Sequence, residues 1–180
     1  MTNFQRILYK EITPGDRRKF KGESNDTPSG GGAMDLRFSP YDLFKDFLVR
    51  MFPEKKSDRI RTNTFRWYEE DFKGPKSEPA LLHEPTKARP GEWRIANINK
   101  YLPFGKLPPE DEGEAFVILI QDENGEIWPK FASKKSLIEK WHEDIAEPIL
   151  LCHKSKKREN MATAGFIEAA TGERKCKHEG

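Results

Sequence analysis

The sequence predicts a mixed α+β fold, and three observations carry that reading. Two strand-like segments, "EAFVILIQ" and "EIWPKFA", flank Asn124-Gly125, a pair that accepts the positive backbone angles of tight turns. Two other stretches, residues 39–53 and 133–147, repeat apolar side chains at helical spacing. Between these, prolines and glycines break the chain into short pieces rather than long periodic elements.

Taken in order, "FQRILYKEI" (4–12) is rich in aromatic and branched residues and reads as a first strand ahead of a Pro14-Gly15 turn. In "SPYDLFKDFLVRMFP", Ser39 caps, Pro40 takes the first helical position and Asp42 meets the helix dipole. Tyr41, Phe44, Phe47, Leu48, Met51 and Phe52 form its apolar stripe, read as core packing, and Pro53 ends it. "RIRTNTFRWY" (59–68) reads as extended. The next stretch carries Pro75, Pro79, Pro85 and Pro90, so a regular element is not expected over most of it. "EWRIANINKYL" is a short strand, followed by a connection through Pro103, Pro108 and Pro109. The first hairpin strand is apolar on both faces and is therefore expected to be central and buried. Residues 133–147 form a second amphipathic helix with Leu137, Ile138, Trp141 and Ile145 inward, and His142 reads as a surface side chain.

At 180 residues, 35% apolar and 34% charged, the chain fits one domain with a modest core under a charged surface. The domain reading is a main unit over 1–151 and a basic extension over 152–180, either an added hairpin or a flexible tail. The longest apolar run, Ala115 to Ile120, is too short for a bilayer, and "MTNFQRILYKEI" lacks a secretory h-region, so a cytoplasmic location and no membrane partner are expected. Net charge is +2, so any affinity for nucleic acid has to come from local patches; Arg17 to Lys21 and Lys154 to Arg158 are the two that qualify. Two cysteines do not make a disulfide framework. Cys152-His153 and Cys176-Lys177-His178 raise a zinc site, but adjacent ligands depart from the usual spaced pattern, which leaves two reduced thiols.

Enzyme signatures are missing. There is no phosphate-binding glycine loop, zinc-protease helix or serine elbow. Asp111, Glu112 and Glu114 precede a strand, yet that strand supplies no carboxylate-x-lysine pair, and Glu126 and Lys130 have the wrong separation. No catalytic residue, cofactor or metal is assigned, and the chain alone is not expected to cut DNA.

Two polar stretches stand out. "KFKGESNDTPSGGG" (19–32) gathers turn-forming and hydrogen-bonding residues, as a linker does, or as a loop does that approaches another molecule's backbone. "KARPGEWRI" (87–95) interleaves Lys87, Arg89, Glu92 and Arg94. Such a set is either a surface salt-bridge group or a base reader, since arginine donates twice to guanine and glutamate accepts from the cytosine amino group.

"SNDTPSGGG", followed after a short strand by "FSP", a helix and "FP", resembles the N-terminal effector-binding DNA-recognition domain of EcoRII-type restriction endonucleases. "KARPGEWRI" resembles that family's second recognition segment, and "PPEDEGEAFVILI" is also similar; together they cover roughly residues 15 to 130. The resemblance implies a mostly antiparallel B3-like pseudobarrel with two short amphipathic helices, whose two arms grip the DNA major groove. Lys19, Lys21, Ser24, Asn25, Asp26 and Thr27 would form one arm, and Lys87, Arg89, Glu92, Trp93 and Arg94 the other. This sequence departs from the family in its additional Gly91 and in Trp93, which stands where a basic residue is usual, so base preference does not carry over. The function implied is double-stranded DNA recognition, as the specificity component of a bacterial restriction or anti-phage defence system, with a separate nuclease or defence-complex subunit as partner. The alternative is an accessory protein-interaction subunit on the same scaffold.

Overall fold

The structure, a computed structural model, describes residues 3–21, 35–71, 73–102, 106–159 and 161–177. Its strands are β1 (Arg6–Ile12), β2 (Leu36–Phe38), β3 (Glu54–Ser57), β4 (Ile60–Trp67), β5 (Lys76–His83), β6 (Trp93–Ile95), β7 (Ala115–Gln121), β8 (Ile127–Ser133), β9 (Ala164–Glu168) and β10 (Glu173–Cys176). The helices described are α1 (Pro14–Lys21), α2 (Tyr41–Met51), α3 (Lys134–Glu139) and α4 (Glu143–Lys154).

Side chains alternate across a strand, so a strand apolar at every position has to be covered twice. β7, apolar from Ala115 to Ile120, meets that condition, and the apolar part of β1 is covered in the same way: Leu8, Val117 and Leu119 face one core, while Ile7, Phe116 and Ile118 face a second. They lie at the middle of one half of the sheet, β7 pairing antiparallel with β8 and β1 with β9, and β9 continuing to β10. The full order is β10-β9-β1-β7-β8-β4-β5-β6-β2, with β3 added on β4, making a strongly curled, mostly antiparallel half-barrel of ten strands. The two halves join where β8 meets β4, in one parallel pair, Phe65 with Ile127. Curling brings the far strand back toward the first: Lys10 Nζ on β1 donates to the Arg37 carbonyl on β2 at 2.8 Å.

α2 fills the larger core. Phe44, Phe47, Leu48 and Met51 are its buried residues, and Phe47 stacks on Phe166 of β9 at 4.3 Å. Burying each such side chain contributes about 1.5–3 kcal/mol. α3 and α4 cover the other face through Leu137, Ile145 and Ile149. An ion cluster ties these layers together: the buried Glu168 carboxylate accepts from Arg6 Nε at 3.0 Å and from Arg50 Nη2 on α2 at 3.2 Å. At the predicted hairpin, Gly125 takes φ 82° and its N–H donates to the Asp122 carbonyl at 3.0 Å. The expected burial of β7 is found.

Several expectations are corrected. Pro14-Gly15 begins α1 rather than a turn: Thr13 Oγ1 accepts from the Asp16 N–H and Asp16 Oδ2 from the Thr13 N–H, both at 3.1 Å, while Pro14 has no N–H for a helix start to leave unpaired. With α1 and the division of residues 133–147, four α-helices stand among the described residues where two were expected. α2 starts one residue later than expected, with Pro40 in the cap position and no side-chain capping bond. Residues 133–147 split into α3 and the start of α4 because His142 caps the latter, its Nδ1 accepting from the Asp144 N–H at 3.3 Å; Ile138, expected inward, is 65% exposed.

The proline-rich stretch contains β5. Pro79 is tolerated because β5 is paired with β4 there, while β6 joins only at Leu82 and His83. Cys152 and Cys176 are joined as a disulfide, not held as two thiols, so neither sulfur is open to zinc. The stretch after residue 151 completes α4 and then adds the β9–β10 hairpin to the sheet. Gly165 allows this hairpin to close, since a Cβ there would lie 2.2 Å from the Lys175 carbonyl and 2.3 Å from Tyr9 Oη.

Candidate functional site

β2 and β6 are three residues long, and their alternation fixes what faces outward. Leu36, Phe38, Trp93 and Ile95 are buried, leaving Arg37 and Arg94 as directly opposed partners between them. Like charges at such positions repel unless neighbours compensate. Compensation comes from two carboxylates: Asp35 Oδ2 lies 3.4 Å from Arg94 Nη1, and Glu92 Oε1 lies 3.6 Å from Arg37 Nε and 4.0 Å from Arg89 Nη1. Glu92 Oε1 is buried yet accepts no hydrogen bond, so its charge is held between two guanidiniums with acceptor capacity left over. Partly exposed pairs of this kind contribute about 0–1 kcal/mol each. Their effect is to fix the direction of the guanidiniums rather than to hold the sheet.

The turn before β6 is closed by reciprocal bonds, Arg89 N–H to Thr86 O at 3.0 Å and Thr86 N–H to Arg89 O at 3.3 Å. It presents Lys87 and Arg89 to solvent. Trp93 differs from the rest of its segment. It is 1% exposed, stacks on Tyr41 at 5.1 Å and 7°, and donates from Nε1 to the Tyr41 carbonyl at 3.2 Å. Its side chain therefore anchors the segment to α2 from inside and does not reach outward.

Lys10 joins this group from β1. Burial lowers its pKa, the Lys177 and Arg37 charges act in the same direction, and Asp16 and Glu92 oppose them. Asp16 belongs to α1 and Glu92 directly precedes β6, so both segments act on the same ammonium. His83, paired with Arg94 across β5 and β6, is lowered by burial and by the Arg94 charge, against Asp35. Lys10, Arg37, Asp35 and His83 are members that the sequence reading missed. A same-face partner of Arg94 follows from pairing β2 with β6, but no local pattern announces that pairing. Of the residues expected in the first arm, Lys19 is exposed on α1. Lys21 ends that helix, its side chain outside the described residues, and Ser24, Asn25, Asp26 and Thr27 also lie outside them.

The other flagged groups have structural partners. Glu112 Oε2 accepts from Ser133 Oγ at 2.7 Å, and Glu114 stands 3.8 Å from Lys134 Nζ. Lys156, in the second basic patch, turns inward to Glu11 at 2.8 Å, while Lys154, Lys157 and Arg158 remain exposed. Among the described residues, no group of three or more His, Cys, Asp or Glu side chains is placed to hold a metal ion, and no helix is long and apolar enough to cross a membrane. No family model, curated protein or solved structure matches the chain.

Proposed function

We propose that the chain is a double-stranded DNA recognition module with a B3-like pseudobarrel architecture, serving as the specificity component of a bacterial restriction or anti-phage defence system in the cytoplasm. The observation that carries this reading is the group around Glu92. Arg37 of β2 and Arg89 and Arg94 of the 87–95 segment are held in place by Glu92 and Asp35, with Lys87 exposed beside them. Nonspecific phosphate binding gains nothing from a carboxylate at its centre. Base reading does, because arginine donates in pairs to guanine and glutamate accepts from the cytosine amino group. Glu92 Oε1 is held between the guanidiniums, and the side chain as a whole is 24% exposed, which leaves the carboxylate partly open to that acceptor role. Lys19, Lys21 and the Ser24 to Thr27 segment supply phosphate and further base contacts, and Trp93 supports its arm from the core.

The outer helices favour a second element of the reading. Ile138 is 65% exposed and Leu151 55%, which suits docking of a separate nuclease or defence-complex subunit, or the accessory protein-interaction role itself. The Cys152–Cys176 disulfide, with its cysteines 2% and 4% exposed, is shielded from direct attack by solution thiols.

Selection from random duplexes, followed by binding of variants to selected and unrelated DNA, tests the proposal. Arg89→Ala and Glu92→Ala should each cost about 1–3 kcal/mol on the selected site and little elsewhere. Equal tightening by Glu92→Ala on every duplex would reduce Glu92 to a repulsive surface charge and sink the assignment.

A further inference from the structure

Away from the arginine group, the seam where β4 meets β8 opens into a cleft of about 230 Å³. Rings form much of its lining. Trp67 and Tyr101 meet edge to face at 5.1 Å and 66°, Phe131 of β8 contributes a third ring, and Tyr68 is 42% exposed. Among the described residues its charged lining is cationic: Lys106 and Lys130, with no carboxylate. Lys106 Nζ donates only to the Tyr68 carbonyl, at 3.2 Å, and neither lysine has an ion-pair partner among the described residues. Partial burial lowers the Lys130 pKa and the Lys106 charge lowers it further, so the Lys106 ammonium stands close enough to act on that of Lys130. An adjoining cleft of about 470 Å³ shares Trp67, Tyr101 and Lys106 and brings in Lys100, Glu69, Glu70 and Asp71; Glu69 is paired with Lys76 at 2.8 Å, Asp71 lies 3.9 Å from Lys73, and Glu70 has no ion-pair partner among the described residues, Lys106 included.

Flat rings beside two uncompensated ammoniums select a ligand that is planar at one end and anionic at the other. A phosphate, which carries up to two negative charges, relieves a lysine pair better than a single carboxylate does. Aromatic faces bind any base, because every base has a π-face. We propose that this cleft binds one unstacked nucleotide, its base against Trp67, Tyr101 and Phe131 and its phosphate at Lys106 and Lys130. The proposal rests on residues separate from the arginine group and does not depend on duplex recognition. Two sources offer the same chemistry: a free mononucleotide, or a nucleotide turned out of a strand. The second is within reach of α1, whose Phe20 stands edge-on to Phe131 at 5.3 Å.

The test titrates the full chain with deoxyadenosine monophosphate, with deoxyadenosine and with single-stranded oligodeoxyadenylate, by calorimetry and tryptophan fluorescence. The monophosphate and the oligonucleotide should bind, and the nucleoside should bind at least tenfold more weakly. Lys130→Glu, at an exposed strand position, should lower monophosphate affinity tenfold or more with an unchanged circular dichroism spectrum, and Lys106→Gln should act in the same direction. Arg89→Ala should leave monophosphate binding within twofold, so this site stands or falls separately from the duplex reading. A duplex carrying 2-aminopurine identifies the source: brightening that Lys130→Glu abolishes points to an extruded nucleotide, and monophosphate binding without brightening to a free one. Absence of monophosphate and oligonucleotide binding at millimolar ligand, or wild-type affinity in both lysine variants, overturns the proposal.

Discussion

Replacing Glu11 by glutamine removes a charge from one of the most enclosed ion pairs among the described residues while keeping the side chain's shape. The Glu11 carboxylate accepts from Lys156 Nζ at 2.8 Å, from Thr163 Oγ1 at 2.7 Å and from the Thr163 N–H at 3.1 Å. His153 Nδ1 lies 3.5 Å away without a hydrogen bond. Glu11 and Lys156 side chains are only 9% and 11% exposed, so solvent screens the pair little. A glutamine carbonyl can still accept from Thr163. What is lost is the charge-assisted bond to Lys156, whose ammonium then stays buried without a counterion. A bond of that class contributes about 1.5–3 kcal/mol, and the stranded charge brings the expected loss to about 2–3 kcal/mol at neutral pH. Burial alone pushes the Glu11 carboxyl upward, but the Lys156 and Thr163 hydrogen bonds and the Lys156 charge outweigh it, so its pKa is lowered from the ordinary 4.5. A lowered folded pKa means that the stabilisation is complete above the unfolded value and disappears as pH falls through the folded one. Urea unfolding followed by circular dichroism should show the midpoint down by about 1 M at neutral pH, with unchanged slope. The gap between wild type and variant should close as acid protonates Glu11. A gap that stays constant from neutral pH into that acid range would refute the reasoning.

Two further outcomes follow from the C-terminal hairpin. The Cys152–Cys176 bridge spans a sequence separation of 24, so its removal in a Cys152→Ser, Cys176→Ser double variant should cost about 3 kcal/mol in denaturant titrations; reductant should reproduce the loss in wild type but not in the variant. Gly165→Ala should lower the melting temperature by at least the equivalent of about 1–3 kcal/mol, because the added methyl meets a backbone carbonyl and a tyrosine ring already in place; a thermal melt unchanged from wild type would contradict that packing.

What the sequence made legible was local. The β7–β8 hairpin was readable because Asn124-Gly125 and two apolar runs lie within one short window, and α2 because its aromatic stripe has a helical period. α1 was also readable in principle, since Thr13-x-x-Asp16 is a capping box, but the Pro14-Gly15 pair drew the turn reading. The break at His142 was hidden because histidine is a rare cap. β5 was missed because a proline weighs against a strand unless the segment's second edge is known to be partly unpaired. At the candidate site, Arg89, Glu92 and Arg94 stood out as neighbours in sequence. Arg37 reaches Glu92 because β2 pairs with β6, Lys10 approaches them only because the sheet curls, and the disulfide forms only because β10 returns beside α4. Contacts of that kind are set by topology and leave no spacing to read.

β1 is held on one edge by β7 and on the other by β9, so Arg6 is paired both with Gln121 and with Glu168. Neither partner is near it in the chain. During synthesis this strand has to wait, apolar on both faces and open on both edges, while more than a hundred residues follow. Such a segment is what chaperones retain and what aggregates when they do not. Closing loops of that length also makes the entropic barrier to folding high, so the chain should fold slowly for its size. Fragments ending before β9 should then stay attached to holdases, and the last hairpin to be made would be the one that releases the first strand.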